Sequence, residues 1–203
     1  EKVTGIRFSL ENLGKGVAYC PHCDGPFFKN KEVAVVGGGN SGVEAALDLS
    51  GIVRKVSLIE FMPNLKADKI LIDKVKQTNN IEVFTNTASK EIISNKGKVE
   101  GIVCEDRVDK NNFTIKLKGV FVQIGLVPNS KFVANIVNLN EFGEIVIDEN
   151  GNTSKKGIYA CGDVTTIPYK QIVISMGEGA KTALSVADYL IKDFDSMKVK
   201  EAV

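Results

Sequence analysis

Cys20-Pro21-His22-Cys23-Asp24 places two thiols three positions apart, with an acid directly behind them. Two cysteines at this spacing can clip a metal, form a structural disulfide, or accept electrons and pass them on. Zinc needs two further ligands at matching spacing. Cys104 and Cys161 are isolated and His22 is the sole histidine, so no metal site is expected. A redox role suits the neighbourhood better. Pro21 fits the first turn of a helix, whose N-terminus stabilises a thiolate. A protonated His22 would lower a neighbouring thiol pKa; a plain spacer is the alternative. Asp24 stands where it can give and take a proton as thiolate becomes thiol. It could equally be a helix-cap carboxylate, and the two roles are compatible.

A second motif supplies a source of electrons. Residues 37–42, GGGNSG, contain G-x-G-x-x-G after a strand and at the start of a helix, the setting in which this pattern binds a dinucleotide. The first glycine permits the tight turn, the second a close approach to pyrophosphate, and the third helix–strand packing. Val36, Gly37, Gly38, Gly39, Asn40, Ser41 and Gly42 form the candidate cradle, with the helix N-terminus on the phosphates. A glycine turn without a ligand is the alternative. Glu60 ends the next strand, about 20 residues on, where a carboxylate accepts from ribose hydroxyls and repels a 2′-phosphate. Phe61 and Met62 follow, with no arginine in the next several positions, so NADH is expected rather than NADPH. The bland alternative is a solvated strand-end acid.

Nicotinamide gives up hydride, and direct transfer from it to a disulfide is not the usual chemistry. An intermediary is required, and flavin is one. Residues 157–164, GIYACGDV, end a strand in Gly162-Asp163, and Asp163 could meet a ribityl or pyrophosphate group. A long helix from about residue 171 carries small residues at Ser175, Gly177, Gly179 and Ala180. Its N-terminal dipole would favour electron density on a flavin ring. Each feature alone is unspecific, since small residues on a helix usually mean close packing.

The elements that must hold these groups follow from periodicity. Strands at 31–36, 55–60 and 81–85 alternate with helices at 41–49 and 66–77, which implies a parallel sheet with right-handed crossovers. Residues 89–117 alternate apolar and polar with turn signals at Lys96-Gly97 and 109–112, which fits three antiparallel strands. A buried strand at 119–125, a short helix at 130–136, strands at 143–148 and 157–163, and a helix over 171–192 complete the chain. The expected class is α/β: a Rossmann-like NAD-binding domain with a parallel sheet plus a three-stranded antiparallel meander. The 203 residues are 43% hydrophobic and 25% charged, with net charge +1 and no basic block. That suits a globular protein and argues against a nucleic-acid surface. No apolar run is long enough to span a membrane, and the start lacks the apolar core of a signal peptide. Four cysteines with one close pair suit a reducing, cytoplasmic setting.

Together the stretches GVAYCPHCDGPFFKNKEVAVVGGGNSGVEAALDL, LIEFMPNLKAD, GVFVQIGLVPN, GIYACGDVTTIPYKQIVISMGEGAKTALS and DYLI resemble the thioredoxin-reductase class of flavoprotein disulfide reductases. CPHC, Glu60-Phe61 and Tyr169-Lys170-Gln171 are similar to its alkyl hydroperoxide reductase branch; thioredoxin reductases usually carry CATC and basic residues that select NADPH. The resemblance implies that Cys20 and Cys23 form the redox disulfide, Cys23 nearer the flavin and Cys20 attacking a partner. It implies Asp24 as proton donor and acceptor, residues 33–46 with Glu60 on NADH, and FAD lined by Gly125, Thr153, Gly157, Ala160, Cys161, Gly162, Asp163, Lys170, Gln171 and Ile172. A thioredoxin-like domain and a peroxiredoxin are the implied partners, and a homodimer the implied assembly. Thioredoxin reductase, or a non-catalytic NADH-binding module, is the rival reading.

The class has an earlier glycine motif for the ADP half of FAD, and only 19 residues precede Cys20 here. The chain is therefore expected to be a fragment. Its expected parts are an N-terminal remnant at 1–15, the NADH-binding domain with the redox pair at 16–118, the C-terminal segment of a split FAD-binding domain at 119–195, and a fraying tail at 196–203. The join near Lys118-Gly119 is an expected hinge.

Overall fold

The computed structural model describes residues 14–201, with side chains through residue 192. Most of the expected remnant at 1–15 and the last two residues of the tail lie outside the described residues. The chain forms two compact units, one ending at Gly125 and one beginning at Leu126.

The first unit starts with a short strand, β1 (Val17–Ala18), then α1 (Pro21–Asp24) and a 3-10 turn at Gly25–Phe28. Strand β2 (Glu32–Val36), α2 (Asn40–Ser50), β3 (Lys55–Ile59), α3 (Lys69–Gln77) and β4 (Ile81–Phe84) follow in alternation. Three antiparallel strands come next, β5 (Thr87–Asn95), β6 (Lys98–Asp106) and β7 (Asn112–Lys116), before the chain returns as β8 (Gly119–Val122). The parallel sheet has five strands in the order β1-β8-β2-β3-β4. Both faces of this sheet are covered, which is why its strands read as continuous apolar runs. Val33, Val35, Val56, Leu58 and Phe121 face α2 and α3, against Val43, Ala46, Leu49 and Val75. Ala34, Val36, Ile59, Val120 and Val122 face the antiparallel sheet, against Ile92, Val99, Ile102 and Cys104. Each such valine, leucine or phenylalanine contributes roughly 1.5–3 kcal/mol by leaving water.

Several expectations are corrected. The domain join expected at Lys118-Gly119 falls instead at Gly125–Leu126, because β8 pairs with both β1 and β2 inside the parallel sheet and cannot belong to the second unit. The helix expected from residue 66 begins at Lys69: the Lys66 N–H donates to the Gly38 carbonyl at 2.7 Å, so tertiary pairing with the glycine turn keeps Lys66 out of the helix. The strands expected at 143–148 and 157–163 are reduced to isolated bridges, Ile145 with Leu139 and Thr165, and Tyr159 with Asn152. Strands need continuous neighbours, and these segments have none among the described residues.

The second unit otherwise holds a 3-10 turn at Lys131–Val133, in place of the short helix, and one long helix, α4 (Ile172–Glu201). That helix extends into the stretch expected to be a polar tail. Among the described residues no helix is long and apolar enough to cross a membrane.

Candidate redox and dinucleotide site

Both motifs leave the same edge of the parallel sheet. Strands β1, β8, β2, β3 and β4 run in one direction, so Cys20 after β1 and Gly37 after β2 emerge together at the carboxyl ends. The chain order reverses between β8 and β2, and ligands of open α/β sheets bind at such a switch point.

Cys20 and Cys23 are joined by a disulfide, with Cα atoms 5.3 Å apart. Cys20 is the N-cap of α1, and its Sγ accepts the Cys23 N–H at 3.2 Å. Pro21 occupies the first helical position, as expected, because the donor it lacks would have had no partner there. Asp24 adjoins the pair and is half-buried; its side chain caps no helix. His22 turns toward α2, with Nε2 3.5 Å from Asp48 Oδ2, and both groups are largely exposed. The segment is anchored behind the disulfide by Phe28, whose ring meets Phe121 edge-on at 5.3 Å.

The glycine turn is built as the spacing required. Gly37 has φ +118°, and a Cβ there would lie 2.2 Å from the Gln123 carbonyl oxygen. A Cβ on Gly42 would lie 1.8 Å from the Gly37 carbonyl oxygen, so helix and turn touch through bare backbone. Gly39 is the N-cap of α2; no side chain caps that helix start, and nothing lies within 4 Å of where a Gly39 Cβ would stand. The result is an open helix N-terminus suited to a phosphate. Asn40 pairs with Asp68 in both directions, accepting the Asp68 N–H at 2.8 Å and donating to Oδ2 at 3.2 Å. Ser41 is exposed on the first turn.

Glu60 is buried beside this turn. Its Oε2 accepts the Gly38 N–H at 2.6 Å, and its Oε1 accepts the Met62 N–H at 2.7 Å. Each carboxylate oxygen keeps a further lone pair for a ribose hydroxyl.

Two contributors were missed in the sequence. Gln123 follows β8; its Nε2 donates to the Tyr19 carbonyl at 2.7 Å, and its own carbonyl lies against Gly37. It therefore braces the disulfide segment against the dinucleotide turn. The only signal was one polar residue in the apolar run GVFVQIG. Arg107, at the end of β6, stacks on Phe61 directly after Glu60; nothing in the sequence pairs residues that far apart.

The residues expected around FAD are only partly gathered. Asp163 and Lys170 line a cavity of about 260 Å³ in the second unit, with Leu126, Val127, Phe142 and Glu144. Ser175 Oγ donates to Asp163 Oδ1 at 2.7 Å. Lys170 is engaged already, by Glu144 at 2.8 Å and by the Thr165 carbonyl. Thr153, Gly157, Ala160 and Cys161 do not line the cavity: the Thr153 hydroxyl closes a turn onto the Ile158 carbonyl and the Ala160 N–H bonds Gly151. Gly162, next to Asp163, takes φ +79°, and Cys161 is exposed. Gln171 and the exposed Ile172 open α4, and Gly125 ends the first unit with φ +97°. An acid able to accept from hydroxyls beside apolar side chains is compatible with part of a flavin, and the volume is below that of a drug-sized ligand site.

The hydrogen bond from Lys170, and then that from Asn140, hold the Glu144 carboxyl below the usual range against the opposing effect of burial. A depressed folded pKa adds stability above the unfolded value, lost as pH falls through the folded one. Glu144→Gln is thus expected to melt lower than the parent at pH 7. The gap should close as pH drops below about 4.3; a gap constant down to pH 3 would contradict the pairing. Cys104, by contrast, is a core thiol: burial pushes it up to about 11, which leaves it neutral and unreactive. Among the described residues no group of acids, histidines and cysteines could hold a metal.

The pyridine nucleotide-disulphide oxidoreductase family model matches residues 2–187. The chain belongs to this family. Within it, the chain is 54% identical over 196 residues to the F subunit of alkyl hydroperoxide reductase in Xanthomonas campestris pv. phaseoli, covering 93% of this chain and 37% of that protein. It is 53% identical over 178 residues to the protein of the same name in Escherichia coli K12, covering 88% and 34%. Among solved structures, thioredoxin reductase from Streptococcus pyogenes MGAS5005 superposes with TM-score 0.83 at 33% identity, over 88% of this chain and 58% of that one. T. acidophilum thioredoxin reductase gives 0.68 at 39% identity, over 94% and 62%. This pyridine nucleotide-disulphide oxidoreductase chain thus spans about a third of the length of those curated relatives.

Proposed function

We propose that this chain is the nucleotide-binding and disulfide-bearing part of an NADH-dependent flavoprotein disulfide reductase of the alkyl hydroperoxide reductase F type. One observation carries the reading: a disulfide and an open glycine-rich helix start share one edge of one sheet, braced by a common residue, Gln123. The adenosine end of NADH lies on the turn at Gly37 to Gly42, its pyrophosphate on the N-terminus of α2 and its ribose hydroxyls on Glu60. FAD, when bound, supplies the conversion of a hydride into an electron pair for sulfur. Asp163 and Lys170 hold part of it.

Once reduced, Cys20 attacks a partner disulfide as thiolate, forming a mixed disulfide and releasing one partner thiolate. The Cys23 thiolate then attacks Cys20 Sγ, re-forming the Cys20–Cys23 bond and releasing the second partner sulfur. Asp24 takes and returns the proton that the thiols exchange. The partner disulfide belongs to a thioredoxin-like domain and, beyond it, a peroxiredoxin that reduces peroxide. The reading places residues 126–192 in the C-terminal segment of a split FAD-binding domain. Ile172, Val173, Met176, Leu184, Leu190 and Ile191 on α4 are each more than half exposed, which supports a missing covering segment.

The test uses a polypeptide of the relatives' full length that carries this segment. Anaerobic titration with NADH is expected to bleach its flavin and free the Cys20–Cys23 thiols, with NADPH at least about tenfold less effective, as a buried acid at the ribose demands. A yellow protein that prefers NADPH would favour thioredoxin reductase instead. Colourless protein that still binds NADH would reduce the proposal to a binding module.

A further inference from the structure

Arg107 leaves the end of β6 and reaches the turn behind Glu60. Its guanidinium carbon lies 3.7 Å from the centre of the Phe61 ring, and its Nη1 donates to the Phe61 carbonyl at 2.9 Å. Its backbone N–H donates to the Asn86 carbonyl at 2.7 Å, and the Asn86 N–H donates to the Met62 carbonyl at 2.9 Å. The turn at Phe61 and Met62 is therefore gripped at two successive carbonyls from outside. The Met62 N–H is in turn one of the two donors that orient the Glu60 carboxylate. A planar guanidinium can stack and donate at once, which an ammonium cannot.

We propose that Arg107 is a positioning residue for nucleotide choice: through Phe61 and Met62 it holds Glu60 in the orientation that favours a ribose with a free 2′-hydroxyl. This rests on the reading above, that Glu60 meets the adenosine ribose. Release of the turn frees the carboxylate to rotate. NADH then loses bonds from both its 2′- and 3′-hydroxyls, whereas NADPH, whose 2′ position carries a phosphate that the carboxylate repels, has only the 3′-hydroxyl bond to lose. Specificity is a difference of two affinities, so the ratio falls. General damage to the site would weaken both nucleotides alike.

The test measures NADH and NADPH dissociation constants on this chain by nucleotide fluorescence, with melting curves for every variant. Arg107→Met is expected to weaken NADH about tenfold, the value of one hydrogen bond to a charged group, and to narrow the NADH preference by a similar factor. Arg107→Lys should not restore it. Phe61→Leu removes the stacked ring and should repeat the effect if Arg107→Met melts early. In a Glu60→Ala background, Arg107→Met should change the ratio less than about twofold, because coupled residues are not additive. An unchanged ratio in Arg107→Met and Phe61→Leu, or the same loss with Glu60 absent, overturns the proposal for Arg107 alone. If Glu60→Ala itself leaves the ratio untouched, the ribose reading fails and this inference fails with it.

Discussion

Serine in place of Cys20 is expected to abolish disulfide reduction by the full-length protein, by roughly a thousandfold or more, since a serine hydroxyl at neutral pH is no substitute for a thiolate nucleophile. Reduction of bound flavin by NADH should be unaffected, because the glycine turn and Glu60 lie on other strands. Cys23→Ser should lose turnover to the same degree but differ in what accumulates. Its Cys20 can still attack a partner, and its backbone N–H still reaches Cys20 Sγ, yet no second thiol resolves the product. A trapped mixed disulfide is therefore expected with Cys23→Ser, and none with Cys20→Ser. Residual turnover above a tenth of the parent in Cys20→Ser would remove the disulfide from the electron path. Trapping by Cys20→Ser instead would reverse the two roles.

The second large effect is expected at Gly42. A methyl group there would overlap the Gly37 carbonyl oxygen at 1.8 Å, so α2 and the turn must separate by more than an ångström. Overpacking of backbone against backbone costs on the order of 1–3 kcal/mol or more. A displacement of about 1 Å at a binding group costs about a hundredfold in function. Gly42→Ala is thus expected to melt several degrees lower and to bind NADH about a hundredfold more weakly, as measured by nucleotide fluorescence. Gly39→Ala separates the two effects. Open space surrounds that position and its φ of −79° suits alanine, so the fold should hold while the phosphate loses its close approach. Equal NADH affinity in the parent and Gly39→Ala would mean that the phosphate does not sit at this helix start.

The first unit was legible in the sequence because its signals are local. Val33 to Val36 is an unbroken β-branched and small run, and the glycines stand where a turn must close against a helix. The three antiparallel strands declare themselves by alternation and by turns at Lys96-Gly97 and near Asp109. The second unit was less legible. GEIVID and GIYACGD have strand composition, yet composition does not provide neighbours, and here they form only single bridges. The start of α3 lies later than its composition suggests for a related reason: Lys66 and Ala67 suit a helix locally, but the Gly38 carbonyl takes the Lys66 N–H. The domain join follows the partners of β8, which no change in composition near Lys118-Gly119 reveals.

The sequence by itself determined which groups are candidates for the chemistry: two sulfurs at the spacing of one helical turn, an acid behind them, a glycine turn, and a carboxylate one strand later. Side-chain type and short-range spacing are enough for that, because thiol exchange and phosphate binding each need only a few adjacent residues. Tertiary structure alone decided that these groups share one sheet edge, that Gln123 braces them, and that Arg107 grips the turn behind Glu60. Those are contacts between residues tens of positions apart. They follow from strand order and register, which no local pattern of residues specifies.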